Sequence, residues 1–285
     1  MNNVTNKTEV TPDLLDRGDV RVSHDASLMD LVRSFIDKVK SGDLGSLPVV
    51  VGLVLIWGIF TSINPIFISA NNLVNLLFDS ATIGIIALGI VCVLMLGEID
   101  LSVGSLSGVG SALLGVLWVN QGVPLPVAII LSLCFGAAVG LAYACLRSRF
   151  GMPSFVATLA GLLALLGFQL WLLDSTGSIN LPYASALVDF GQLMIMPAWL
   201  SHSVALLPGI VIVVRSLQIR NKRQATRLSV KSINSIFIRA LLVTLALQMV
   251  VFYLNQSRGV PWMFGLFLLL VVMLDYALTR TRWGR

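Results

Sequence analysis

The chain has 285 residues, of which 56% are hydrophobic and only 12% charged, with a mean hydropathy of +0.90. A soluble domain carries about 25% charged residues, and a disordered chain is poor in apolar ones, so both classes are excluded and a polytopic membrane protein is indicated. The net charge of +5 does not point to nucleic acid, because the basic residues gather at the ends of apolar runs and are not interleaved with aromatics.

Residues 1–25 are polar and of mixed charge, and read as disordered. No ordinary signal peptide is read here: the first apolar run begins only near Leu47, and the leader lacks a short charged start with a nearby cleavage site. From 26 to 39, Leu28, Leu31, Val32, Phe35, Ile36 and Val39 recur at three- and four-residue steps, with Asp30, Arg33, Asp37 and Lys38 on other faces. This spacing predicts an amphipathic helix, capped by Ser27, that lies on the membrane surface or binds a partner. Residues 1–46 are thus expected to form a cytoplasmic N-terminal segment.

Eight candidate spans follow: Leu47–Ile63, Ala81–Leu96, Leu101–Val119, Val127–Cys145, Pro153–Leu172, Leu200–Val214, Ile236–Tyr253 and Val260–Leu278. They make up a transmembrane domain over 47–278, with a cytoplasmic tail at 279–285. Several are shorter than the roughly 20 residues a straight span needs, so their polar flanks must continue as helix or the helices must break. With the N-terminus inside, 18 of the 19 Lys and Arg residues fall in cytoplasmic segments or, for Arg239, on the cytoplasmic first turn of the seventh span, and only Arg258 does not. By the positive-inside rule this supports an N-in, C-in all-α protein of about eight helices in a bacterial inner membrane. The loop from Arg215 to Ser235 is the most basic internal stretch; it serves as an orientation anchor or meets anionic lipid headgroups. The external stretch from Asp174 to Trp199 has no Lys or Arg, and Gly177, Pro182 and Pro197 argue for irregular structure there, either a plain connection or a surface for a partner.

Cys92, Cys134 and Cys145 lie in or beside apolar runs without CxxC spacing, and His24 and His202 form no motif together. Neither a catalytic constellation, a metal-ligand set nor a cofactor fingerprint is present, so an enzyme is not expected. Asp275, near the end of the last span, is explained by snorkelling and by pairing with Arg280 or Arg282. Gly104 and Gly108 form a GxxxG pair in the third span, and Gly136 and Gly140 another in the fourth. Lipid gives helices no hydrophobic reason to associate, so such faces are expected to pack helix to helix through close backbone approach.

The most informative stretch is Gly97-Glu98-Ile99-Asp100-Leu101-Ser102-Val103-Gly104-Ser105. A charge at the bilayer centre costs about 2.5–3.5 kcal/mol on insertion scales, so two carboxylates between apolar runs must line a cavity, pair, or sit at an aqueous mouth. One role is structural: Asp100 or Ser102 caps a helix starting near Leu101. The other is functional: the helix is broken around 97–105, and Glu98, Asp100, Ser102 and Ser105 face a water-lined path suited to a hydroxyl-rich solute.

Residues 98–105 resemble the Ile-Asp-Leu-Ser-Val-Gly-Ser signature of permease subunits of bacterial ABC sugar importers, the ribose/xylose group, and the Glu before it is most like the xylose type. Ser69 to Leu77, Met152-Pro153-Ser154-Phe155-Val156-Ala157-Thr158-Leu159-Ala160-Gly161, and Arg258-Gly259-Val260-Pro261 with the later Thr279 to Arg285 resemble further segments of that family. The extra pair of spans around the basic loop, Leu200 to Tyr253, also suits the xylose-type branch. The resemblance implies a translocation path for a simple sugar, a pentose such as xylose foremost. It also implies a separate ATP-binding subunit, an extracytoplasmic sugar-binding protein and a second permease copy, besides membrane lipids. The chain departs from the family at Leu166, where relatives often carry Arg, and it ends at Arg285, where the family continues into an ATPase-docking segment and further spans. The expectation is therefore that residues 1–285 insert but do not by themselves support ATP-coupled uptake. A truncated, transport-inactive fragment and a secondary transporter or channel are the alternatives.

Overall fold

The computed structural model describes residues 47–226, 230 and 232–281. The amphipathic helix expected at 26–39, the rest of 1–46 and the tail residues 282–285 lie outside the described residues. The fold is helical. In chain order we label α1 Leu47–Ile63, α2 Ala70–Met95, α3 Val103–Gly115, α4 Leu125–Phe150, α5 Ser154–Leu173, α6 Ala198–Ala225, α7 Ile233–Asn255 and α8 Trp262–Arg280. Seven of these are long and apolar enough to cross a membrane, α3 being extended to Asn120 by a π-helical turn, while α1 is shorter. Prolines open four of them: Pro124 and Pro126 at α4, Pro153 before α5, Pro197 before α6 and Pro261 before α8. The first N–H groups of a helix have no partner within it, so a proline there forfeits nothing and brings a preset φ.

Two boundaries differ most from the sequence reading. The second span begins as helix at Ala70 rather than Ala81, so Asn71, Asn72, Asn75 and Asp79 are helical. The sixth continues to Ala225 rather than Val214, so Arg215, Arg220, Lys222 and Arg223 of the expected basic loop stand on the last turns of α6. Both extensions carry polar residues, which interrupt the apolar pattern by which a span is read from sequence. Between α5 and α6 the backbone is largely irregular, with a 3₁₀ turn at Asp174–Thr176, one α turn at Ala186–Val188 and a π turn at Asp189–Leu193. Asp275 and Arg280 form no ion pair with each other, and Arg282 is not among the described residues.

The described residues form two compact units, one of 47–74 with 196–260 and the other of 75–195 with 261–281. In the second, α3 packs against α4 and α5. It buries Ser105, Val109, Ala112 and Gly115, one stripe at helical spacing. Small residues set the approach: Gly108 lies against Gln169 of α5, Gly115 meets Ile179, and Gly161 of α5 lies under the Tyr143 hydroxyl of α4. Phe135 of α4 stacks on Phe168 of α5 with ring centroids 5.8 Å apart. A Cβ built on Gly84 of α2 would come within 2.7 Å of the Phe267 ring of α8. Gly104, Gly136 and Gly140 have no such neighbour among the described residues.

In the first unit α6 and α7 form an antiparallel hairpin. Its seam on α6 is Ser201, Ala205 and Gly209, a small-xxx-small run, with Gly209 seated against Thr244 of α7. Polar side chains close the other end of the seam. His202 Nδ1 lies 2.6 Å from Gln248 Oε1, and Gln248 Nε2 donates to the His202 carbonyl at 2.9 Å. Asn255 Nδ2 donates to Ser201 Oγ at 3.2 Å. Tyr253 of α7 donates its hydroxyl to the Ile68 carbonyl at 3.0 Å, just after α1, and Phe67 stacks there on Phe60.

Candidate functional site

The stretch singled out in the sequence forms a sharp corner between α2 and α3. α2 closes in a Schellman motif: Gly97 N–H donates to the Leu94 carbonyl at 2.9 Å and Glu98 N–H to the Val93 carbonyl at 3.3 Å. The motif needs a left-handed residue after the last turn, and Gly97, at φ 74°, provides it without a Cβ clash. Glu98 is the residue just beyond, and its carboxylate pairs with the Arg147 guanidinium on the last turn of α4. That turn is itself closed by a left-handed glycine, Gly151, whose N–H donates to the Arg147 carbonyl at 3.0 Å. An isolated, partly exposed pair of this kind adds little stability in water, about 0–1 kcal/mol; Arg147 is 55% exposed here.

Asp100 organises the start of α3. Its Oδ1 accepts from Ser102 N–H and from Ser102 Oγ, both at 2.7 Å. Ser102 is fully buried, and its carbonyl accepts from Leu106 N–H and from the Ser105 hydroxyl, each at 2.8 Å. The helix therefore starts at Val103, later than the expected Leu101, and Ser102 holds the cap position without a cap bond of its own. Asp100 supplies the capping oxygen from two residues before, because its short carboxylate reaches the N–H two residues on. Of the eight residues named from sequence, the structure brings Asp100, Ser102 and Ser105 into one hydrogen-bonded chain. Glu98 turns instead to Arg147, Gly108 packs on α5, and Gly104, Gly136 and Gly140 stand open.

Sequence reasoning missed two residues of this corner, Arg147 and Thr158. Thr158, 3% exposed on the first turns of α5, accepts at Oγ1 from Leu101 N–H at 3.3 Å and donates to the Ser154 carbonyl at 2.9 Å. Two segments read separately, Ile99 to Ser105 and Pro153 to Gly161, are thus one piece of architecture. The signal was in the sequence as two motifs; their contact was not. The corner lies where α2 and α4 end and α3 and α5 begin, so it sits at helix ends within this unit and not halfway along a span.

All-helical, with seven spans of membrane-crossing length and composition, the chain is a multi-pass membrane protein. Residues 72–285 match the family described as branched-chain amino acid transport system / permease component, and the chain belongs to that family. It is similar to the xylose transport system permease protein XylH of Escherichia coli K12, with 32% identity over 248 residues, covering 87% of this chain and 62% of that one. The XylH of Haemophilus influenzae is 28% identical over 253 residues, covering 87% of this chain and 66% of its own. Over a shorter stretch of 141 residues it is 36% identical to the autoinducer 2 import system permease protein LsrD of E. coli O9:H4, covering 48% of this chain and 42% of that protein. The chain thus spans a little under two thirds of the length of the XylH proteins it matches. No solved structure matches it.

Proposed function

We propose that this chain is a membrane subunit of an ABC importer for a simple sugar, a pentose such as xylose, and that it contributes to the translocation path in a bacterial inner membrane. The observation that carries the reading is the similarity to XylH along 87% of the chain, through the Glu98–Ser105 corner. A separate ATP-binding subunit supplies the energy, an extracytoplasmic binding protein delivers the sugar, and a second permease copy and the surrounding lipid complete the assembly. The transmembrane domain covers 47–278, with the N-terminal segment and the residues from 279 on facing the cytoplasm.

In this orientation the corner between α2 and α3 stands at the inner mouth of the path. Arg147 and Arg149 on the last turn of α4 support that side, because positive residues favour the cytoplasmic face. Glu98 and Asp100, both partly exposed, put carboxylate at that mouth, while Ser102 and Ser105 fix the turn from beneath. The open faces of Gly104, Gly136 and Gly140 are left for packing against another helix or the second copy.

The test is uptake of labelled xylose by cells carrying this gene region with its transport partners, compared with cells in which the permease alone is deleted. Loss of xylose uptake on deletion, restored by the gene, is the expected result. Unchanged xylose uptake in the deletion strain would overturn the sugar assignment.

A further inference from the structure

We propose that the face of α2 formed by Asn75, Asp79 and Thr82 lines the aqueous path and that Asp79 and Thr82 hydrogen-bond the hydroxyl groups of the solute; this rests on the sugar-permease reading above. The three residues are spaced i, i+4, i+7, which puts them on one side of the helix, and all three are exposed. The neighbouring face is packed: Phe78 is 6% exposed and Ala81 fully buried. The polar stripe therefore runs along the edge of the packed unit.

Depth makes the stripe consequential. α2 has 26 residues, so it is about 39 Å long, some 9 Å more than the roughly 30 Å hydrocarbon core. Asp79 follows Ala70 by nine residues, about 14 Å along the axis. Even with all the excess length on that side, Asp79 is about 5 Å inside the hydrocarbon, and tilting the helix carries it deeper. The sequence reading, which began the span at Ala81, left Asp79 outside.

Chemistry then selects the occupant. Glu98 is paired with Arg147 and Asp100 is occupied by Ser102, but the Asp79 carboxylate makes no hydrogen bond or ion pair among the described residues. A carboxyl side chain does not face lipid tails at this depth; it faces water or a polar partner. Thr82 donates its hydroxyl to the Phe78 carbonyl at 3.1 Å, which leaves its lone pairs outward as acceptors. One carboxylate and one acceptor hydroxyl within a turn of each other match a neutral, hydroxyl-rich solute, whose every hydroxyl both donates and accepts.

The test is cysteine accessibility in cells carrying the whole uptake system, in a background where Cys92, Cys134 and Cys145 are replaced and uptake is retained. N75C, D79C and T82C are compared with A87C and V91C, exposed positions deeper in the span on other faces of the same helix. A charged, water-soluble thiol reagent is expected to modify the three stripe positions at least about tenfold faster than the two controls, as an aqueous surface requires, and saturating xylose is expected to slow modification at position 79. An inert position 79, equal labelling of A87C, or labelling indifferent to xylose in cells that import it would each overturn the proposal, the first being the result if another helix covers the stripe. Xylose uptake by the unsubstituted protein is read in the same cells. Its absence overturns the sugar reading whatever the labelling shows, whereas uptake with an inert position 79 overturns this inference alone.

Discussion

Asp100 carries more of the corner than its neighbours, because one oxygen holds both the N–H and the hydroxyl of a buried serine. Replacing it with alanine leaves the Ser102 N–H buried without an acceptor, a loss of about 1 kcal/mol for a cap and more for an unsatisfied buried donor. Asp100→Ala should therefore lower the thermal aggregation midpoint of the detergent-purified protein. Asp100→Asn should recover most of it, since a carboxamide oxygen caps nearly as well; if Asn and Ala behave alike, the charge rather than the cap matters. The Thr158 hydroxyl poses a parallel case. Thr158→Val removes the acceptor for Leu101 N–H while keeping the shape, and Thr158→Ser keeps the bond. We expect the valine variant to be less stable by about 1 kcal/mol in the same assay and the serine variant to stay within a few tenths. Glu98→Gln should shift the midpoint less than Asp100→Ala, because Arg147 is largely solvated and the pair adds little.

At the scale of helices, glycine spacing alone did not say which faces pack. Gly136 and Gly140 carry the sequence signature, yet no described helix approaches them, whereas Ser201, Ala205 and Gly209 form a working seam that reads less conspicuously. The reason is physical: small residues permit close approach but do not supply the partner. Gly161→Val and Gly209→Val should push Tyr143 and Thr244 off their seats and reduce the monodisperse peak of a fluorescent fusion on size exclusion. Gly140→Ala should leave that peak unchanged within this chain. The same limit applies to helix ends. All eight apolar runs were legible from composition and fold as helices, seven of them long and apolar enough to cross a membrane. The first turns of α2 and last turns of α6 were not legible, because their polar residues interrupt the apolar pattern. Of the corner, the acidic residues and the helix break were readable, since carboxylates between spans stand out. The Arg147 and Thr158 partners were not, since they lie about 50 residues and more away in sequence and only packing brings them close.

For the whole molecule, the orientation proposed from charge predicts which ends face which solution. A cysteine at Ser178 should react with an impermeant thiol reagent in intact cells, and one at Gln224, on the last turn of α6, should not until the membrane is opened; the reverse pattern would invert the topology. The α6–α7 hairpin adds a constraint on how such a molecule is made. Gln248 satisfies its amide group on His202 of the preceding helix, and Asn255, the last residue of α7, bonds Ser201, so α7 entering lipid alone would carry the unsatisfied Gln248 carboxamide with it. During synthesis α6 emerges first, and it already presents the acceptors and donors that α7 needs. The two should therefore leave the translocation machinery as a pair, α6 waiting at its side until α7 arrives. In a glycosylation-reporter assay, the membrane insertion of α7 should fall when α6 is replaced by an inert leucine helix, and return when Ser201 and His202 are restored within it.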